Sequence, residues 1–468
     1  MGTVERKWNY DYSKILWMKM YLADPDFSVM RSKVYVTFEQ ALGIIKQVDA
    51  ITQGVPKILY LVGWQGLGHD DCYPEMDVVN EALKREGDAT ARDSLWWLFR
   101  EAKKYNTVVS FHVNVSDAYT ATPCFPELAA ANAVVNDING RPTPIEVFNG
   151  RDGYKTSYKQ FWESGIFKRL FDRFCEVTPV REAGTVHIDN FCIAENLNPR
   201  TTVEEQDAAR NAMLDYVASL GIDVTSEYTY REAPLRNESP THPIRRLYTQ
   251  TGEDMTEVDW RAVPMRTLGR IPATWWTSCV SMDECISVPP SLYAGHLNER
   301  AQMNVFYGTM HGEDIWRDHG NAPENWGPAF IKEFCTYHAP YVYLNRYERL
   351  RWEEEAGAPE DGRYTVFFSG GVVSRGRDRS ISKNGVVLKR ENDVILPLTE
   401  DNMTFVAYSE NGRSGLWNVP DAAFTAAEVF EITPEGNRFI CAKTVTDGKI
   451  ELELAAGQGV AVRGLIGK

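Results

Sequence analysis

Two carboxylates organise the chemistry this chain is equipped for. Asp189 follows Thr185-Val186-His187-Ile188 and precedes Asn190-Phe191, and Glu227 closes the run Ile222-Asp223-Val224-Thr225-Ser226 ahead of Tyr228. Both runs alternate apolar or β-branched residues with polar ones, the first directly after Gly184, and read as strands. An acid at the C-terminal end of a strand, in a chain alternating strands with helices, stands where barrel enzymes keep their reactive groups. Two such acids on successive strands suit a retaining glycosidase, in which one attacks the anomeric carbon and the other protonates the leaving oxygen. Asp189 takes the first role, kept ionised by polar neighbours such as Asn190 and His187. Glu227 takes the second, its pKa lifted by partial burial beside Tyr228. The plainer alternative is that either carboxylate caps a helix or pairs with an arginine. Asp223, which enters earlier in its strand, is a weaker rival to Glu227.

Further polar groups cluster in two stretches. In Gly63-Trp64-Gln65-Gly66-Leu67-Gly68-His69-Asp70, three glycines permit close backbone approach, and Trp64, Gln65, His69 and Asp70 are side-chain types that hold sugar hydroxyls. The glycine spacing matches neither a dinucleotide nor a Walker pattern, so no phosphate cofactor is expected. In Phe111-His112-Val113-Asn114-Val115-Ser116, the side chains of His112 and Asn114 lie on one side of a strand, at its C-terminal end. One such histidine taken alone is more often a satisfied core residue. Trp275, Trp276 and the 307–326 region are candidates for the pocket edge. His311, Glu313, Asp314 and His319 suggest a metal, but their spacing is irregular, and the reading carries no metal and no cofactor.

The elements that must position these groups follow a βα rhythm. Lys14–Tyr21, Lys57–Val62 and Thr107–Val115 read as strands, with helices at Phe38–Gln53 and Arg92–Tyr105 between them. A helix over Tyr158–Val177 leads to the Asp189 strand. Another over Val203–Leu220, capped by Thr201-Thr202 and closed by Gly221, leads to the Glu227 strand. Asn304–Met310 adds a late strand and Ala329–Tyr343 a helix. Seven strands are legible, and the eighth is assigned to the Pro- and Arg-rich stretch 232–290, so the expectation is a (β/α)8 TIM-like barrel over residues 1–350. Residues 351–364 form a charged linker. Beyond it Asn384-Gly385, Asn411-Gly412, Glu435-Gly436 and Asp447-Gly448 mark hairpins, and residues 365–468 are expected to form an antiparallel β-sandwich packed on the barrel.

Bulk composition narrows the partners. The 468 residues are 43% hydrophobic and 25% charged, which leaves material for a large core plus a smaller module. A net charge of −15 without a basic patch argues against nucleic acid. Aromatic residues reach 12%, with 13 Trp, which fits either a large core or rings that cover the apolar faces of sugars. The N-terminus lacks the apolar stretch of a signal peptide and no apolar run approaches a membrane span, so the expectation is a cytoplasmic protein acting on carbohydrate. The eight cysteines are scattered without a Cys-x-x-Cys pair, and Cys192 is assigned to packing.

The run G-W-Q-x-x-G-H-D-x-x-x-P from Gly63 to Pro74, and H-V-N-x-S-x-x-Y from His112 to Tyr119, resemble the catalytic domain of glycoside hydrolase family 101. Its members are endo-α-N-acetylgalactosaminidases that release the core disaccharide of mucin-type O-glycans. The resemblance implies a retaining mechanism on a (β/α)8 barrel followed by β-domains. It also implies Asp189 as nucleophile, Glu227 as acid/base, and His69, Asp70, His112 and Asn114 around the N-acetylgalactosamine. The chain departs from the pattern where Tyr228 replaces a Trp after the acid/base. It departs again where Asn190-Phe191-Cys192 replaces Val-Trp-Gly after the nucleophile. Family members are also longer, secreted and equipped with carbohydrate-binding modules, which brings in the neighbouring family 129 of exo-acting α-N-acetylgalactosaminidases. The resulting expectation is hydrolysis of α-linked N-acetylgalactosamine, or Galβ1-3GalNAc, from small glycosides or O-glycopeptides. An exo-enzyme on another galacto-configured sugar and a non-catalytic carbohydrate-binding protein are the alternatives.

Overall fold

The computed structural model describes residues 9–10, 15–148, 150–189, 191, 194–226, 326–344, 346–347, 349–354, 364–375 and 378–465. Its first half is built on five parallel strands: β1 (Leu16–Tyr21), β4 (Lys57–Val62), β5 (Thr107–Asn114), β9 (Thr185–Asp189) and β12 (Asp223–Ser226). They lie side by side in that order, each beside the strand before it, which is how successive staves of a βα barrel are laid down. Every residue of β4 is buried, the mark of a parallel strand covered on both faces.

Helices cross over between the strands: α1 (Phe38–Ile51), α2 (Ala91–Ala102), a run of α4 (Tyr158–Glu163), α5 (Ile166–Val177) and α6 (Val180–Ala183), then α7 (Val203–Ser219). Three of them begin in the same way. Thr37, Thr90 and Thr202 each accept a bond from the backbone three residues on, and Gln40, Asp93 and Glu205 return it. The cap expected at Thr202 is therefore present. The single helix expected over Tyr158–Val177 is instead two, because Gly165 adopts a left-handed φ of 75° that ends the first.

Two small antiparallel pieces interrupt the rhythm. One is the hairpin of β2 (Ala23–Asp26) and β3 (Arg31–Val34), directly after β1. The other is a three-stranded sheet of β6 (Asp117–Tyr119), β8 (Arg151–Lys155) and β7 (Pro144–Phe148), which follows the end of β5; a short α3 (Phe125–Ala130) lies within that insertion. Each leaves the sheet from the C-terminal end of a parallel strand.

The C-terminal half begins with α8 (Trp326–Glu333), a π-helical turn over Phe334–His338, and α9 (Ala339–Leu344), much as the Ala329–Tyr343 pattern predicts. Twelve antiparallel strands then join one sheet, from β13 (Arg349–Glu354) to β24 (Gln458–Gly464). Residues 351–354, read from sequence as the start of a linker, pair with β14 (Tyr364–Phe368) instead. The expected sandwich takes the form of one sheet folded over its own core. In β18 (Asp393–Pro397) and β19 (Thr404–Ser409), Val394, Leu396, Val406 and Tyr408 face the core shared with the first half. The alternate residues Ile395, Phe405 and Ala407 face a second core with Trp417, Ile450 and Leu452. Asn384 and Asp447 have φ of 48° and 49° and are followed by left-handed glycines, the turn that Asn-Gly and Asp-Gly hairpins require. Just past α1, Gln53 donates to Asn437 Oδ1 (2.9 Å) and accepts from Arg463 Nη2 (2.8 Å), tying the halves together.

Candidate active site

The site is a consequence of register. In the β5–β9 ladder His112 lies opposite His187 and Asn114 opposite Asp189, so four polar side chains share one face in two tiers. The lower tier stacks its imidazoles, with centroids 5.2 Å apart and planes at 26°. In the upper tier Asn114 Nδ2 donates towards Asp189 Oδ2 at 3.4 Å, and His112 Nε2 stands 3.5 Å from the same oxygen. The Asp189 side chain keeps 16% of its surface exposed, enough for a substrate atom to reach it.

The glycine-rich loop brings in the next groups. A Cβ on Gly63 would come within 2.2 Å of Ala23 O, and one on Gly68 within 2.5 Å of the Asp24 carbonyl carbon, so only glycine lets this loop lie against β2. The His69 N–H donates to Ala23 O at 2.8 Å, which seats the imidazole between Tyr21 and His112, edge-on to both at 5.3 Å. His69 Nε2 lies 3.4 Å from Asp70 Oδ2. Asp71 accepts from Leu67 N (2.9 Å) and pairs with Arg151 (3.1 Å), whose guanidinium covers Phe27 at the tip of the β2–β3 hairpin. Both inserted pieces are thereby pinned to the rim.

Beneath the loop, Gln65, Tyr73 and Tyr119 are buried; the Tyr73 hydroxyl lies beside the Gln65 amide without a well-formed hydrogen bond, and the Tyr119 hydroxyl has no hydrogen-bond partner among the described residues. Burial first, and then the carboxylates of Asp70, Asp189 and Asp117, holds Tyr73 well above the ordinary phenol range. Tyr119 is pushed up in the same way, by burial and then Asp70 and Asp117. Both therefore stay protonated as donors beside a group of carboxylates. A buried donor without an acceptor costs roughly 1–3 kcal/mol, which a ligand oxygen can relieve. Asp117 pairs with Lys155 at 2.6 Å, side chains 5% and 3% exposed; removing one partner of such a pair costs roughly 3–5 kcal/mol.

The sequence-predicted residues thus divide. Asp189, His112, Asn114, His69 and Asp70 are brought together, with Gln65 beside Tyr73. Trp64 is not presented to a ligand: fully buried, its ring packs between Phe111 and Phe174 and its Nε1 donates to His112 O at 3.0 Å, so it braces β5 from behind. Asp223 is at the far end of its strand, opposite Thr185, where it accepts from Asn9 N at 2.9 Å, and so is no rival to an acid at the strand's other end. Glu227, Tyr228, Trp275, Trp276, His311, Glu313, Asp314 and His319 lie outside the described residues. Tyr73, Asp117 and Lys155 escaped the sequence reading. The available signal was weak: Tyr73 is inside the first motif, and Asp117 follows Asn114 by three residues inside the second.

Residues 26–231 match the family model described as endo-alpha-N-acetylgalactosaminidase of glycoside hydrolase family 101, a span that contains both motifs and both candidate acids. That is the resemblance the motifs carry, and over this span the chain is of glycoside-hydrolase type. No curated sequence relative matches. Among solved structures the chain is similar to the alpha-N-acetylgalactosaminidase NagBb from Bifidobacterium bifidum in its GalNAc complex, at 14% identity and a TM-score of 0.51, over 80% of this chain and 58% of that one. The ligand-free form of the same enzyme gives a TM-score of 0.50 with the same identity and coverage. An Anoxybacillus alpha-amylase aligns over 98% of this chain and 100% of its own, at 11% identity and a TM-score of only 0.40. The chain spans less than three-fifths of the length of NagBb, and the likeness is one of fold. Among the described residues no helix is long and apolar enough to cross a membrane.

Proposed function

We propose that the protein is a retaining α-glycosidase acting on α-linked N-acetylgalactosamine or a closely related galacto-configured sugar. The observation that carries this reading is Asp189 itself. It is an accessible carboxylate at the end of a parallel strand, held by Asn114 and His112, within a segment that matches a glycosidase family. Asp189 attacks the anomeric carbon as the glycosidic C–O bond breaks, and Glu227 gives its proton to the departing oxygen. Water then attacks the glycosyl ester, Glu227 takes the proton from that water, and Asp189 leaves as a carboxylate. Tyr73, Tyr119 and Gln65 offer donors to sugar oxygens, with His69 and Asp70 at the same rim.

The test is a panel of aryl glycosides carrying α-N-acetylgalactosamine, α-galactose and Galβ1-3GalNAcα. Release of the monosaccharide alone favours the exo-acting type of family 129, and release of the disaccharide the endo-acting type of family 101. Retention is read by NMR of the first-formed anomer. Binding of these sugars with no turnover would leave a carbohydrate-binding protein.

One observation favours a second reading. The ligand atoms of His69, His112 and Asp189 lie within 4.8 Å of one another, and two imidazoles with a carboxylate suit a divalent cation. The readings make competing use of Asp189, because lone pairs given to a cation are withdrawn from attack on carbon. Activity lost on chelation and restored by a divalent ion supports the second.

A further inference from the structure

We propose that the buried Asp117–Lys155 pair is a positioning unit for the nucleophile, acting through Asn114; this rests on Asp189 being the attacking group of a glycosidase. The orientation of Asn114 is dictated from one side. Its Oδ1 accepts from Ser116 N, Ser116 Oγ and Asp117 N, each at 2.9 Å. Three converging donors leave the Nδ2 end no choice but to face the carboxylates. There it donates to Asp117 Oδ2 at 2.6 Å and towards Asp189 Oδ2 at 3.4 Å. The two hydrogens of one amide thus serve two acids, the short bond anchoring the amide and the long one guiding the nucleophile.

The anchor depends on a cation. Asp117 lies opposite Lys155 in the antiparallel β6–β8 ladder, and Lys155 Nζ donates to Asp117 Oδ1 at 2.6 Å. The ammonium draws one Asp117 oxygen into a charge-assisted hydrogen bond, and its charge offsets that of the carboxylate, so the anchor adds no net negative charge beside Asp189. For stability alone a matched apolar pair would serve as well, since desolvation consumes much of what a buried ion pair gains. The pair instead fixes where one oxygen of Asp189 rests, and displacement of a reacting atom by about 1 Å can cost on the order of 100-fold in rate.

The experiment compares wild type, D117N/K155M, K155M, K155Q and K155R in single turnover, with each enzyme in excess over whichever 4-nitrophenyl glycoside of the panel (α-N-acetylgalactosamine, α-galactose or Galβ1-3GalNAcα) the wild type cleaves. The first-order rate constant so obtained does not depend on the fraction of folded molecules, and circular dichroism and thermal melts are recorded beside it. The double variant removes both charges at once and leaves no unpaired ion. It is expected to lose about 10- to 100-fold in the rate constant while its half-saturating enzyme concentration stays within about twofold of wild type. K155M alone, which takes the cation from Asp117 at a greater cost in stability, is expected to show the same split, and K155Q, which keeps a neutral donor towards Asp117, stands in if neither folds. K155R, which keeps the charge, should recover most of the rate. Pair variants that fold and keep the wild-type rate constant overturn the positioning role and leave the glycosidase reading intact. A wild-type enzyme that releases nitrophenol from none of the α-N-acetylgalactosaminide, the α-galactoside and the Galβ1-3GalNAcα glycoside overturns the glycosidase reading and the positioning role with it.

Discussion

His112 and His187 face each other across the β5–β9 ladder with rings 5.2 Å apart, and the His112 Nε2 lies 3.5 Å from Asp189 Oδ2. His112→Phe keeps a flat ring over His187 but removes the nitrogen beside the nucleophile. It should cost roughly 10- to 100-fold in kcat/KM, the equivalent of about 1.5–3 kcal/mol for a bond to a charged group. His187→Phe, which keeps the ring stack and leaves His112 Nε2 in place, is the control. Equal losses in both would mean that the stack itself, and not the nitrogen, is what matters.

Asp189→Asn and Glu227→Gln should both fold and both lose most of their turnover. For Glu227→Gln the expected loss is about 100- to 10,000-fold. It should shrink on substrates whose leaving group needs no proton, such as a dinitrophenolate. Near wild-type turnover in either variant would remove that residue from the mechanism.

Tyr73 offers an unusual separation of stability from function. Its hydroxyl is fully buried beside the Gln65 amide without a well-formed hydrogen bond, so Tyr73→Phe removes a polar group from which the ligand-free fold gains little. The variant is expected to melt at the same temperature as wild type or a little higher, with a gain of up to about 1 kcal/mol. Its KM should rise roughly 5- to 10-fold if the hydroxyl serves the sugar. A lower melting temperature with unchanged KM would identify the hydroxyl as structural.

A pH signature should come from the C-terminal sheet. Lys389 is buried, its Nζ donating to the carbonyls of Arg379 and Glu391, and burial pushes its pKa down to about 7. Unfolded, it titrates near its ordinary value of about 10.4. Between those values the unfolded chain holds a proton that the folded chain has released, so stability rises with pH across that window and is lowest below it. Lys389→Met abolishes this dependence. Its melting temperature relative to wild type should be most favourable near pH 6 and decline steadily towards pH 10. A difference that stays flat across that range would show that Lys389 is not buried in this way.

Much of the site was legible because its members sit close together in sequence. The βα order, the strand ends at Asn114 and Asp189, and the threonine cap of α7 all follow from local periodicity and capping chemistry. The Gly63–Asp70 run declared its close packing through glycines that admit no Cβ. What stayed hidden depends on contacts distant in the chain. Lys155 meets Asp117 only because two strands of an insertion pair antiparallel, and neither residue type announces that at a separation of 38 positions. The sequence places Trp64 at the sugar because Trp, Gln, His and Asp beside glycines are the side-chain types that hold sugar hydroxyls. Phe174, 110 positions downstream, lies against one side of the ring and encloses it. The division of helix 158–177 turned on Gly165, which the apolar spacing on either side concealed.

The grip of Asn437 and Arg463 on Gln53 limits how the protein can be cut. Tyr408, Ile432 and Ala461 of the C-terminal sheet belong to the same core as residues of α1 and α8. A gene fragment stopping near residue 350 would present that side of α1 and α8 to water, and its product should precipitate rather than behave as a smaller enzyme. Any effort to shorten this chain therefore has to keep both halves.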